Sequence, residues 1–187
     1  MKSEKLAVIS QEIAKYSQKI DDEQLKQVAK LCHQAKRIFV AGAGRSGFAA
    51  RGFANRLMQL GLTAYFVGET TTPSIQKGDL LVIGSGSGST GSLVVDAQKA
   101  KKCGAQIATL TIYPDATIGK LADGSIIIPG ETPKNESVDH DTAESIQPMG
   151  TLFEQLSWLT YDAIILELME LTGETSESMF PRHANLE

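Results

Sequence analysis

Twice in this chain a short apolar run leads into a glycine-rich turn and then into an amphipathic stretch. The first unit is Arg37–Ala41, Gly42–Gly47 and Phe48–Leu60; the second is Asp79–Ile83, Gly84–Gly91 and Ser92–Lys102. Unbroken apolar runs of this length fit strands buried on both faces, as in a parallel sheet. Two parallel strands cannot be joined by a tight turn and need a crossover, usually a helix. Thr63–Val67, Gln106–Thr111 and Gly124–Ile128 supply three further strand candidates. The expected fold is α/β: a single-domain three-layer α-β-α sandwich around a five-stranded parallel sheet. Gly61, Gly104 and Gly173 stand just past helical patterns, where a left-handed residue ends a helix.

Helices also lead and close the chain. Leu6, Ile9, Ile13, Tyr16 and Ile20 recur at helical spacing, and a second helix is expected from about Asp22 to Ala35, capped by Asp21 or Asp22. This helical N-terminal extension, residues 1–35, carries apolar faces that packing in an oligomer would cover; packing on the chain's own sheet is the alternative. A long helix is expected over Thr151–Leu171. The stretch from Pro129 to Gly150 is irregular and long enough to suggest a functional loop. The tail Glu174–Glu187 reads as polar.

Composition narrows the partners. The net charge of −4 argues against a nucleic-acid surface, so an anionic ligand must be drawn in locally. Cys32 and Cys103 form no CxxC pair and no zinc spacing; both are read as reduced thiols in or near the core, in a cytoplasmic setting. Met1–Gln11 does not read as a signal peptide, and no apolar run approaches the roughly 18 residues of a membrane span. His140, between Asp139 and Asp141, hints at a metal but reads as part of a solvated loop; no metal site is expected.

The two glycine loops carry the chemistry. Gly42-Ala-Gly44-Arg-Ser-Gly47 matches GxGxxG between a strand and a helix, and Glu69 lies where a ribose-binding acid would sit, so a Rossmann-like dinucleotide enzyme is one reading. Arg45 and Ser46 speak against it, because a dinucleotide turn needs only bare backbone there. So does the second loop. Ser85, Gly86, Ser87, Gly88, Ser89 and Thr90 combine glycines that let N–H groups turn inward, hydroxyl donors, and a helix N-terminus. That suits a phosphate monoester. The loop lacks the lysine of a nucleotide P-loop, and its place between a strand and a helix argues against a flexible linker.

Glu154 is the carboxylate that stands out. With Thr151 it fits a capping box, Thr151-x-x-Glu154. It also fits a general base at a helix N-terminus bordering the site, where the helix dipole favours the ionised form. The two roles are compatible. His33 reads as structural or solvated, and His183 as a surface residue of the tail.

Four segments together, GAGRSG (Gly42–Gly47), GSGSGSTG (Gly84–Gly91), QPMGTLFEQ (Gln147–Gln155) and RHANLE (Arg182–Glu187), resemble the 6-phospho-3-hexuloisomerase branch of the sugar isomerase (SIS) domain family, over essentially the whole chain. The resemblance implies interconversion of D-arabino-3-hexulose 6-phosphate and D-fructose 6-phosphate through an enediol, without metal or organic cofactor. It places this step in the ribulose monophosphate pathway of formaldehyde fixation. It implies Glu154 as proton acceptor, Ser46 and Ser85–Thr90 as the groups that bind substrate, Arg45 as a source of charge, and His183 as an assisting histidine, in its own subunit's site or reaching a neighbour's. It also implies a homotetramer. A non-catalytic SIS module that only senses a phosphosugar is the alternative within the same family.

Overall fold

The structure, a computed structural model, describes residues 3–132 and 143–186; His140 and its flanking aspartates lie outside them. Strands β1 (Ile38–Gly42), β2 (Ala64–Phe66), β3 (Leu80–Gly84), β4 (Gln106–Thr111) and β5 (Gly124–Ile127) form one parallel sheet in the order β2-β1-β3-β4-β5. The side chains alternate between two apolar layers although the runs themselves are unbroken. Ile38, Val40, Leu80, Val82, Ala108 and Leu110 face helices α2 (Asp22–Gln34), α3 (Gly44–Gln59) and α6 (Thr151–Thr172). Phe39, Ala41, Leu81, Ile83 and Ile107 face α4 (Gly91–Lys102) and the short α5 (Thr117–Leu121). This is the expected three-layer sandwich.

The strand order fixes where a ligand can bind. After β1 the chain crosses by α3 on one face to β2, at the sheet edge; after β3 it crosses by α4 on the other face to β4. The last residues of the two strands, Gly42 and Gly84, are paired side by side. The connections therefore part at this point and leave a crevice outside the carboxyl ends of β1 and β3.

The leading helices divide. The side chain of Asp21 caps α2, accepting from Gln24 N–H at 2.9 Å. Val28, Ala29 and Cys32 of α2 are fully buried against the chain's own β5 and α6. Helix α1 (Glu4–Ser17) lies over α6 with Tyr16 buried, and leaves Leu6 and Val8 exposed.

Several local expectations need correction. Helix α3 begins at Gly44, a turn before Phe48, so Arg45, Ser46 and Gly47 are helical rather than loop. A Cβ on Gly47 would lie 2.7 Å from the Gly42 carbonyl oxygen, so this glycine lets the helix start directly on the strand. Thr151 does not cap α6. Its hydroxyl donates to Pro148 O at 2.6 Å, and the N-cap is Gly150 at φ +71°, with no side-chain bond. Cys32 is buried, its thiol pushed up to about 12 by burial; Cys103, expected in or near the core, is exposed at the end of α4. The tail is not merely polar: α7 (Ser176–Met179) and a 3₁₀ turn (Phe180–Arg182) bring Met179 into the core. Among the described residues no helix is long and apolar enough to cross a membrane.

The edge opposite the crevice is closed by an ion pair. Arg37, just before β1, donates from Nε and Nη2 to the buried carboxylate of Asp79, at 3.0 and 2.6 Å. Asp79 also accepts from Gln76 N–H at 2.8 Å.

Candidate active site

A cleft of about 370 Å³ lies in the crevice. Three helices end on it. Gly44–Ser46 open α3, Thr90 and Leu93 open α4, and Gly150, Phe153 and Glu154 open α6. None of the three N-caps, Ala43, Thr90 and Gly150, offers a side-chain hydrogen bond to its helix. Helices α1, α2 and α7, which end elsewhere, are capped by Ser3, Asp21 and Thr175. The amides of a helix's first turn have no partner within the helix. Three uncapped N-termini around one cleft thus supply N–H donors and three positive dipole ends, each contributing about 0.3–1 kcal/mol towards an anion.

The β3–α4 loop is the floor. Ser85 N–H donates to Leu110 O at 3.0 Å, while Ile112 N–H and the Thr111 hydroxyl donate to Gly86 O at 3.1 and 3.3 Å. The loop is thereby fastened to β4. Gly88, at φ +58°, turns the chain; a Cβ there would lie 2.7 Å from the Ala116 side chain. Ser85, Gly86, Ser87 and Thr90 line the cleft, whereas Ser89 is exposed and does not. The hydroxyl of Ser85 is buried without a hydrogen-bond partner. Such a group in a donor-lined cleft is suited to an incoming ligand oxygen.

Glu154 and Arg45 face each other across the mouth. Arg45 Nε donates to Glu154 Oε2 at 2.5 Å; Arg45 is exposed and Glu154 only 16% exposed. The Glu154 hydrogen bond and charge hold the Arg45 guanidinium above its ordinary value. Phe153, the residue before Glu154, also lines the cleft and with Ile112 packs against Gly86 and Gly130. Beneath the cleft Tyr161 stacks on Phe53, with centroids 4.6 Å apart, and a Cβ on Gly84 would meet its hydroxyl at 2.6 Å. Burial pushes the Tyr161 phenol well above its ordinary range.

Of the residues expected from the sequence, the cleft gathers Arg45, Ser46, Ser85, Gly86, Ser87, Thr90 and Glu154. His183 is not among them. It is exposed, beside Phe180, and lines a different cavity with Arg56, Gln59 and Asp162. Glu69 is paired with Arg51 and so already has a partner. Ile112, Glu131 and Met149 line the cleft without having been singled out. They follow β4 and β5 or precede α6, and only the strand order brings those connections here. Among the described residues no group of three or more His, Cys, Asp or Glu could hold a metal ion.

A model of the SIS domain matches residues 31–156. The chain belongs to the SIS-domain family. Within the SIS family it is 49% identical to a 3-hexulose-6-phosphate isomerase of Bacillus subtilis, over 99% of this chain and 98% of the relative. It is 43% identical to a 3-hexulose-6-phosphate isomerase of Mycobacterium gastri, over 97% of this chain and 89% of that one. The crystal structure of a Methanococcus jannaschii protein, for which the molecular function of 3-hexulose-6-phosphate isomerase was inferred, superposes with a TM-score of 0.83 at 35% identity, covering 99% of this chain and 100% of that one. This SIS chain therefore groups with the isomerases of the family.

Proposed function

We propose that this chain is the isomerase interconverting D-arabino-3-hexulose 6-phosphate and D-fructose 6-phosphate. The observation that carries the reading is a carboxylate, Glu154, set opposite a phosphate cradle in a cleft ringed by three uncapped helix N-termini. A cradle alone would serve a sensor; a half-sheltered carboxylate at its rim is what proton transfer needs. The phosphate is held by the Ser85–Thr90 loop, Ser46 and the start of α4. Glu154 takes the proton from C2, α to the C3 carbonyl, giving an enediol shared by C2 and C3. The hydroxyl proton moves between the two oxygens, and the proton on Glu154 returns to C3, leaving the carbonyl at C2. Arg45 leaves Glu154 for a substrate oxygen as the sugar enters, which frees the carboxylate and steadies the charge on the enediolate. Atoms balance with no outside oxidant.

The test is a coupled assay in which formaldehyde and ribulose 5-phosphate are condensed to the hexulose phosphate and fructose 6-phosphate is followed. Appearance of fructose 6-phosphate only when the chain is added supports the reading; its absence overturns it. The reaction belongs to the ribulose monophosphate route of formaldehyde fixation, and we place it in the cytoplasm, where the two free thiols suit a reducing medium.

We assign the site of His183 to a neighbouring copy in a homotetramer, with residues 1–35 contributing to the contacts. Exposed Phe48 and Trp158 form an apolar rim beside Arg45 and Glu154 that a partner would cover. His183→Ala is expected to lower kcat about 10²-fold. Refolding it together with Glu154→Gln should restore part of the activity, since mixed assemblies hold some intact pairs. No recovery on mixing would place the histidine in its own subunit's site or outside catalysis.

A further inference from the structure

The stretch matched by the SIS model begins at residue 31, so α1 lies outside it. Helix α1 nevertheless reaches the segment that leads to the cleft wall. Glu12, half-buried on α1, accepts three hydrogen bonds from the segment that leads into α6: from Ser145 Oγ at 3.1 Å, Ile146 N–H at 3.0 Å and Gln147 Nε2 at 2.7 Å. The same Gln147 amide donates to Gln155 Oε1 at 3.0 Å, on the residue next to Glu154. One turn along α1, the Tyr16 hydroxyl donates to Glu144 O at 3.0 Å. Hydrogen bonds to a carboxylate are roughly twice as strong as neutral ones. Glu12 therefore gathers the segment around one charge.

The segment runs straight into two left-handed residues, Met149 at φ +34° and Gly150 at φ +71°, and both line the cleft. A non-glycine residue at positive φ persists only where its surroundings impose it. Met149 is itself exposed, so its own side chain does little to hold it. The restraint comes from either side: Thr151 bonded back to Pro148 O, and the Glu12 cluster bonded to residues 145–147.

We propose that Glu12 is a positioning residue for the reaction. It clamps Ser145–Gln147 as a strap, so that Met149 and Gly150 form the cleft wall and α6 presents Glu154 in register. The inference rests on the sugar-phosphate reading of the cleft. With the clamp removed the strap samples other conformations, and apparent affinity falls with the fraction of molecules in which it is in place.

Glu12→Ala and Gln147→Ala test it, with Glu4→Ala, an exposed change on the same helix, as control. Fructose 6-phosphate binding is measured by calorimetry, kcat by the coupled assay, backbone order at Ile146 by hydrogen exchange, and Tm by calorimetric scanning. Glu12→Ala should raise the fructose 6-phosphate Kd about tenfold, leave kcat within about threefold, and speed exchange at Ile146. Gln147→Ala should raise Kd as well, and the double variant should be no weaker than the worse single, because the two act as one clamp. Glu4→Ala should match the wild type. A lower Tm with unchanged Kd for Glu12→Ala overturns the proposal, since α1 would then be structural only; so do fully additive losses in the double variant. Wild-type protein that binds fructose 6-phosphate without turning it over removes the isomerase reading and leaves the Kd comparison intact.

Discussion

Glu154→Gln will lower kcat by about 10²–10⁴-fold, the usual contribution of a positioned general acid–base group. The substitution keeps volume and leaves a carbonyl oxygen able to accept from Arg45, so the cleft retains its shape. The proposed phosphate cradle is untouched, because Ser85, Ser87 and Thr90 come from a different connection, β3–α4. Fructose 6-phosphate affinity should therefore change by no more than about threefold, a loss confined to kcat. Two measurements check this: turnover in the coupled assay, and the wash-in of solvent deuterium into fructose 6-phosphate, which reports proton removal without the coupling enzymes. Turnover within tenfold of the wild type would remove Glu154 as the base.

The largest loss of stability is expected from the opposite edge of the sheet. Arg37→Ala leaves the Asp79 carboxylate, 2% exposed, without its counter-charge. Removing one partner of such a pair costs about 3–5 kcal/mol; the lower end applies here because Arg37 is itself partly exposed. Burial by itself would raise the Asp79 carboxyl, but the hydrogen bonds from Arg37 and Gln76 and the charges of Arg37 and Lys36 outweigh it and hold the group below the ordinary carboxylate range. A folded-state value below the unfolded value, about 3.9, means that the stabilisation is fully present above about pH 5. It is lost as the pH falls through the folded value. Urea unfolding should thus show the Arg37→Ala deficit in full at neutral pH and a shrinking deficit below about pH 4. Equal stabilities of variant and wild type at neutral pH would contradict it. Catalysis at saturating substrate should survive wherever the variant is folded, since the pair lies at the far ends of the strands.

What could be read from the sequence follows physical scale. Unbroken apolar runs such as Leu80–Ile83 announce buried parallel strands, and the sheet is the expected one. The glycine-rich loop Gly84–Gly91 stands out at a strand–helix junction as a candidate anion loop, and Ser85, Gly86, Ser87 and Thr90 do line the cleft. Helices of four or five residues, α5 and α7, were illegible, since helical periodicity needs more than a turn to show. The start of α3 at Gly44 was hidden because its cause is a contact between Gly42 and Gly47, not a local preference. Thr151-x-x-Glu154 carries the pattern of a capping box, yet Arg45, distant in sequence, takes the carboxylate, and Gly150 takes the N-cap. Glu12 had no local signal at all. Its partners are Ser145, Ile146 and Gln147, and only the packing of α1 on α6 reveals them.

The two apolar layers are unequal. The larger carries α3 and α6, with Arg45 and Glu154; the smaller carries α4 and α5, and the Ser85–Thr90 loop runs into α4. Regions with less buried apolar surface open first, so α4 and α5 are the weaker flank of the empty protein. A sugar phosphate held in the cleft as proposed would touch both sides of the sheet at once, and a ligand that binds only the closed form suppresses opening by mass action. Occupancy of a small cleft would thereby shield an entire helical layer from proteases. The concentration of the metabolite would then help to set how long each folded chain lasts.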